Sequence, residues 1–347
     1  MKNKVKGYLK IFFSILLIWI VLLLLINFRS IIDLGQFLIG NLNYVYKSDD
    51  PIAENSDYKI LYELVNLNQD HTKIPPLYFS SEPNYNKKLP SSGKINYFRM
   101  LFILKCLDSL EVKYDTIWVQ DKYSRAPEYS CDIFIKPNKN NDFTLITAHY
   151  DNLKIPDYQG ALDNSAAVAI LLNTLRNCKE ILHEKNVAFL FTTLEEQGFM
   201  GAQEFLAYSK EHNFKINKVI CLDGLGRGTL SAMNNCLGSF GFKFRDYFFR
   251  EKLFTGYSFK DCPRYLNVDN SIIDLKKYKI NVLHSFLSST DSRVFIKDGI
   301  PTIHLTSNDI PHFLKVMHTS RDRINGLQYK SLKNCQDILC DIIKNLN

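Results

Sequence analysis

Residues 187–191 form a short apolar run, residues 199–208 have helical spacing, and between them Glu195 and Glu196 stand side by side. A run that short and that apolar suits a strand buried on both faces, as in a parallel sheet. Two carboxylates therefore sit where a buried strand ends and the chain turns into a helix. In open α/β sheets that position, outside the carboxyl ends of the strands, is where ligands bind. Adjacent acids repel, so a pair held there needs a cation or a proton between them. Taken alone, the pair reads better as an ordinary acidic helix start, since Glu favours the first helical turn. Four other segments reverse that preference.

The surrounding pattern sets the fold. Short strand-like runs occur at 116–119, 131–135 and 143–147, followed by a helix over 164–175, the strand 187–191, a helix over 199–208 and a strand over 219–222. A late strand at 300–305 and a closing helix over 331–346 complete the series. Such alternation predicts an α/β fold with a mixed, mainly parallel central sheet and helices on both faces. Ahead of it, 57–68 has helical spacing and opens the globular part, while 74–93 holds Pro75, Pro76, Pro83 and Pro90 and reads as a long loop. Ile95, Phe98, Leu101, Phe102 and Leu104 then mark one side of an amphipathic helix.

A chain of 347 residues, 46% hydrophobic and 23% charged, buries a full-sized core, which fits one large domain with attachments. Lys2, Lys4, Lys6 and Lys10 supply four of the net +7 charges. No basic stripe interleaved with aromatics remains, so no nucleic-acid partner is expected. The eight cysteines are scattered without a C-x-x-C pair. Cys106, Cys131 and Cys221 lie in apolar segments, as reduced core cysteines do, and Cys236 and Cys262 are candidates to pair in an oxidising compartment.

At the N-terminus, 11–26 is apolar except for Ser14, and with Tyr8, Leu9 and Phe28 it reaches the roughly 20 residues a membrane-spanning helix needs. Four lysines precede it and only Arg29 follows closely, which places the N-terminus in the cytoplasm. The apolar stretch is longer than a signal-peptide core, and no small-x-small cleavage site follows. The expected organisation is a basic cytoplasmic tail over 1–10, a transmembrane signal anchor over 11–28, a stalk over 29–56 and a globular domain over 57–347 outside the cytoplasm.

The four segments place chemistry on the same sheet edge. His149 and Asp151 follow the strand 143–147 and, two residues apart, share a face. A carboxylate beside an imidazole is the usual partner that fixes the tautomer of a metal-bound histidine. Asp163 opens the helix that runs to Leu175, where by itself it reads as a helix cap. Asp223 ends the strand 219–222, and although glycines follow, Gly228 falls one place short of a dinucleotide fingerprint. His318 lies just ahead of the closing helix. Two histidines (His149, His318) and three carboxylates (Asp163, Glu196, Asp223) suit two divalent ions bridged by one carboxylate. The donor mix favours zinc, and manganese and cobalt accept the same ligands. No H-E-x-x-H, G-x-S-x-G or P-loop motif is present, which disfavours mononuclear zincins, serine hydrolases and P-loop NTPases.

In this order the residues resemble the co-catalytic zinc aminopeptidases of peptidase family M28. The resemblance covers 57 to the C-terminus. It implies that Asp163 bridges two zinc ions, that His149 and Asp223 complete one site, and that Glu196 and His318 complete the other. It further implies Glu195 as general base, Asp151 as the residue orienting His149, and peptide or protein N-termini as substrates. Two departures stand out: Leu162 occupies a position where the family often has an acid, and Ser289-Thr290-Asp291-Ser292 resembles the family's Ser-Asp-His segment with Ser292 in place of His. That segment puts Asp291 at the substrate pocket, and the aromatic-rich stretch 239–278 is either part of the pocket wall or ordinary core. Glutaminyl-peptide cyclotransferases share the motif order with one zinc, on Asp163, Glu196 and His318. They line their site with tryptophan, including one just before the last histidine, where this chain has Met317. A non-catalytic receptor-like ectodomain is the third reading; such relatives typically lose ligands or the base, and none is missing here.

Overall fold

Alternating large apolar residues build one central sheet, and the two sets of side chains they project define two cores. The computed structural model describes residues 13–18, 20–21, 48–53, 57–67, 94–120, 129–137, 141–153, 155, 157–182, 185–234, 272–284 and 290–346. In chain order the elements are α1 (Lys59–Asn66), α2 (Lys94–Ser109), β1 (Asp115–Gln120), β2 (Tyr129–Ile135) and β3 (Asp142–His149). A wide turn, Ala161–Ser165, leads into α3 (Ala166–Asn177) and the short α4 (Lys179–Leu182), then β4 (Val187–Thr192), α5 (Met200–Glu211), β5 (Lys215–Leu222) and β6 (Leu230–Asn234). The series closes with β7 (Asn281–His284), α6 (Ser292–Lys297), β8 (Thr302–Ser307), α7 (Ile310–Val316), a 3-10 turn at Ile324–Gly326 and α8 (Tyr329–Lys344).

The strand order is β1-β2-β4-β3-β5-β8-β6-β7. β4, β3, β5 and β8 form the parallel centre. β2 and β1 extend it antiparallel on one side, and β6, antiparallel to β8 but parallel to β7, extends it on the other. Val187, Phe189 and Phe191 of β4 face one way and pack with residues of α1, α2, α3 and α8. Ala188 and Leu190 face the other way, with Phe134, Phe143, Phe205 and Phe295, under α5 and α6. The Phe134 and Phe205 rings meet edge to face at 4.9 Å, an arrangement that adds about 0.5–1.5 kcal/mol to the area they bury. The expected mixed α/β sheet with helices on both faces is thus what the chain forms. The parallel centre with antiparallel strands at its sides is the expected mixed sheet, although β6, β7, α6 and α7 are not announced by sequence periodicity.

α2 departs from its sequence pattern. Its buried face runs through Asn96, Arg99, Met100, Ile103 and Leu107, while Phe98 and Phe102 of the expected side are only half-buried. Residues 48–53, at the end of the expected stalk, lie against the start of α8. The Tyr329 amide donates to the Asp50 carbonyl at 3.0 Å and the Lys330 amide to Asp50 Oδ2 at 2.8 Å. Residues 13–18 and 20–21 are helical, with exposed apolar side chains such as Phe13 and Leu17. Among the described residues no helix is long and apolar enough to cross a membrane. The remainder of the anchor expected over 11–28, the loop at 74–93, most of the aromatic stretch from 239, and Cys236 and Cys262 lie outside the described residues.

Candidate metal centre

From β3 the chain crosses through α3 to β4 on one side, then through α5 to β5 on the other. The carboxyl end of β3 is therefore a topological switch point, where crossovers diverge and leave a crevice. His149, the last residue of β3, stands there at 1% exposure. Asp151 ties it to the neighbouring strand end: Oδ1 lies 3.4 Å from His149 Nδ1 and accepts the Glu195 amide at 3.1 Å, while Oδ2 accepts the Glu196 amide at 3.2 Å. The same carboxylate thus sets the imidazole and the backbone of both glutamates. Leu194, just before them, adopts φ +53, and His318 adopts φ +56. A bulky residue holds that left-handed conformation at a cost of roughly 1–2 kcal/mol, which the surrounding contacts must outweigh.

Asp163 is not a helix cap. It lies in the wide turn before α3 with an extended backbone (φ −122°, ψ 87°), and its peptide bond to Asn164 is cis. Asp322 fixes this turn from 159 residues away, accepting the Leu162 amide at 2.8 Å and the Asp163 amide at 3.1 Å. Asn164 Nδ2 donates to the Leu222 carbonyl at 3.0 Å, joining the turn to the end of β5 beside Asp223. Gly160, at φ +54, precedes the turn, and a Cβ there would stand 2.3 Å from Asn152 Oδ1.

These supports bring all five expected ligands together. His149 Nε2 is 3.2 Å from Asp163 Oδ1 and 3.7 Å from Asp223 Oδ1. His318 Nε2 is 3.3 Å from Asp163 Oδ2 and 3.2 Å from Glu196 Oε2. Two triads result, His149–Asp163–Asp223 and Asp163–Glu196–His318, each with ligand atoms within 4.8 Å of one another. Asp163 belongs to both, one oxygen to each. His149 Nε2, Asp223 Oδ1 and Glu196 Oε1 are buried and make no hydrogen bond. Buried polar atoms that converge without bonding one another fit a cation held between them, and one imidazole with two carboxylates is a donor set zinc accepts. His318, 45% exposed, marks the open side of the crevice.

The electrostatics agree. Burial pushes the Glu195 carboxyl well above the usual range, and Asp223, Asp291 and Glu196 reinforce the shift against the pull of His149. Burial likewise pushes Glu196 up to about 7. Burial acts to raise Asp163 too, but His149 and His318 hold it well below the usual carboxylate range. The His318 imidazole is pushed up to about 10 by its contacts with Asp163 and Glu196. Protons gather where negative charge converges, and divalent cations would take their place.

Glu195 belongs to neither triad. Asp291, expected at the substrate pocket, is 1% exposed at the end of β4, where Thr192 Oγ1 donates to its Oδ2 at 2.5 Å. Two acids that hold backbone were not singled out by sequence. Asp322 lies four residues past His318 with nothing in the sequence to set it apart, and Asp132 on β2 accepts the Thr193 amide at 2.9 Å. Neither forms a motif, because each acts on backbone of a segment remote in sequence.

Residues 133–343 match the sequence profile of Peptidase family M28, a stretch that holds every residue of both triads. The chain belongs to peptidase family M28. Within that frame it is 26% identical over 208 residues to the vacuolar membrane protease of Clavispora lusitaniae (58% of this chain, 17% of that protein). It is 30% identical over 81 residues to aminopeptidase YwaD of Bacillus subtilis (23% of this chain, 17% of that protein). The matches span less than a fifth of either relative's length. The M28 fold is shared with a glutaminyl cyclase from Bacteroides thetaiotaomicron bound to N-acetylhistamine (TM-score 0.59, 15% identity, 86% of this chain and 99% of that one). A leucine aminopeptidase precursor from the same organism is as similar (TM-score 0.59, 14% identity, 87% and 100%). One fold thus carries both names, so the choice between them rests on residues of the site.

Proposed function

We propose that this M28 chain is a zinc-dependent aminopeptidase that removes residues from free peptide N-termini. The observation that carries the reading is the shared carboxylate of Asp163, with one oxygen in each triad. In this reading His149, Asp163 and Asp223 hold one zinc ion, and Asp163, Glu196 and His318 hold the other. Bound there, paired zinc lowers the pKa of a water and polarises a carbonyl oxygen. Asp151 keeps Nδ1 of His149 protonated so that Nε2 faces the site. Glu195 accepts the proton of the attacking water, since it is not occupied as a ligand and burial raises the basicity of its carboxylate. It then delivers that proton to the departing amine, so that water and peptide bond become a carboxylate and a free amine.

Met317 before the last ligand, where the cyclotransferases carry tryptophan, supports hydrolysis over cyclisation. Incubation with free-amine peptides and with N-terminal Gln peptides separates the two. Released single amino acids support the aminopeptidase, whereas ammonia release with loss of the free amine supports the cyclase. Glu195→Gln is expected to lower turnover about 10²–10⁴-fold with metal content retained, the scale of a lost general base. Substantial residual activity would show that another group carries the proton.

The proposal includes a membrane anchor at 11–28, supported by its apolar run and by the exposed Phe13, Ile15 and Leu17, with 1–10 cytoplasmic and the catalytic part outside the cytoplasm. The catalytic part then follows a stalk over 29–56 that ends against α8. Release of the full chain from membranes by alkaline carbonate would rule the anchor out.

A further inference from the structure

α2 precedes the stretch matched to the family, yet it reaches both loops that carry the metal centre. Arg99 is fully buried, and its guanidinium grips two segments at once. Nε donates to the Tyr150 carbonyl at 2.5 Å, and Nη2 donates to Ser165 Oγ at 3.0 Å. Ser165 Oγ in turn donates to the Gly160 carbonyl at 2.6 Å, which closes the wide turn on itself. Tyr150 is the residue between His149 and Asp151, and Ser165 is two residues past Asp163. One turn earlier on α2, Asn96 Oδ1 accepts the Asn152 amide at 2.8 Å, next to Asp151.

A helix that served only to cover the core would place apolar residues at both positions, because burying a guanidinium is unfavourable without fixed partners. Burial lowers the Arg99 pKa to about 10, against the pull of Asp151, Tyr158 and Asp322, so the group stays charged at neutral pH. Its planar fork fixes two acceptors in a set relation that a flexible ammonium does not reproduce. The two acceptors are on the strand end that carries His149 and on the turn that carries Asp163, whose facing atoms are 3.2 Å apart.

We propose that Arg99, with Asn96 one turn before it, is a positioning pair that sets the spacing between His149 and Asp163 and thereby the zinc affinity of the centre. The inference rests on the metal-site reading above.

The test is a zinc titration of the metal-free full chain against a chromophoric zinc chelator, for wild type, R99K, R99M and N96A. Melting of each metal-free form is measured in parallel. R99M is expected to bind zinc about 10–100-fold more weakly, as loss of a partner that orients a ligand does. R99K is expected to recover part of the loss, since it restores the charge without the fork, and N96A to weaken binding in the same direction by less. A folded R99M with wild-type zinc affinity and a lowered melting temperature would reduce Arg99 to a structural tie and overturn the proposal. If R99M does not fold, R99K and N96A decide: wild-type affinity in both overturns it. A wild type that binds no zinc defeats the metal-site reading itself, and the role of the pair with it.

Discussion

Asp322→Ala removes a buried carboxylate that bonds to the backbone, not the side chain, of a candidate zinc ligand. The carboxylate accepts two amides, Leu162 at 2.8 Å and Asp163 at 3.1 Å, and is 1% exposed. Hydrogen bonds to a charged group contribute about 1.5–3 kcal/mol each. Their sum is offset by the cost of burying Asp322, since burial pushes its pKa up to about 7 despite both bonds. The net loss is therefore estimated at about 2–4 kcal/mol, the range expected when a buried acceptor is deleted and two amides lose their partner. Urea unfolding of the zinc-loaded and metal-free chain measures it, with zinc content measured alongside. The zinc-loaded form should lose more than the metal-free form, because the freed turn also misplaces Asp163. Asp322→Asn, which keeps the volume and one acceptor oxygen, should fall between the two. Stability of Asp322→Ala within 0.5 kcal/mol of wild type in both forms would refute the reasoning, since a surface-like effect is that small.

Gly201→Ala is expected to destabilise the chain by more than a helical glycine-to-alanine change normally gains, because the added Cβ would stand 2.4 Å from both Asp132 Oδ1 and the Thr193 carbonyl at the root of the Glu195 turn; an unchanged melting temperature would contradict this. The metal-free chain should lose stability as pH rises from about 4 to 10. Glu196, Asp291 and Asp322 have folded pKa values raised to about 7, so the unfolded chain sheds their protons first and stability falls as pH climbs from 4 to 7. The stability from His318, whose folded pKa is raised to about 10, is full below its unfolded value of 6.5 and is lost between there and 10. Saturating zinc should flatten the neutral part of that slope, and melting curves across pH with and without zinc check both statements.

The strand ends were legible in the sequence because short apolar runs and period two are local signals. His149, Asp151, Glu195 and Asp223 sit close to where those runs predicted. Asp163 was legible as an acid near a helix start, but not in its actual form. Its segment is an extended, wide turn whose shape depends on long-range bonds from Asp322 and Asn164 and on Ser165 closing the turn onto Gly160. Arg99 and Asn96 were hidden for the opposite reason. The apolar residues of α2 suggest a buried face through Phe98 and Phe102, whereas the helix buries the face that carries Asn96 and Arg99. Asp291 was placed by likeness of its segment, and it is buried at the end of β4, bonded to Thr192 and close enough to Glu195 to raise its pKa.

Zinc-edge anomalous scattering from crystals of the zinc-loaded chain tests the central claim most directly. The account predicts two peaks, one among His149, Asp163 and Asp223 and one among Asp163, Glu196 and His318, about 3.5–4 Å apart as in two-metal hydrolytic sites. One peak confined to Asp163, Glu196 and His318, or none at either triad, would contradict it.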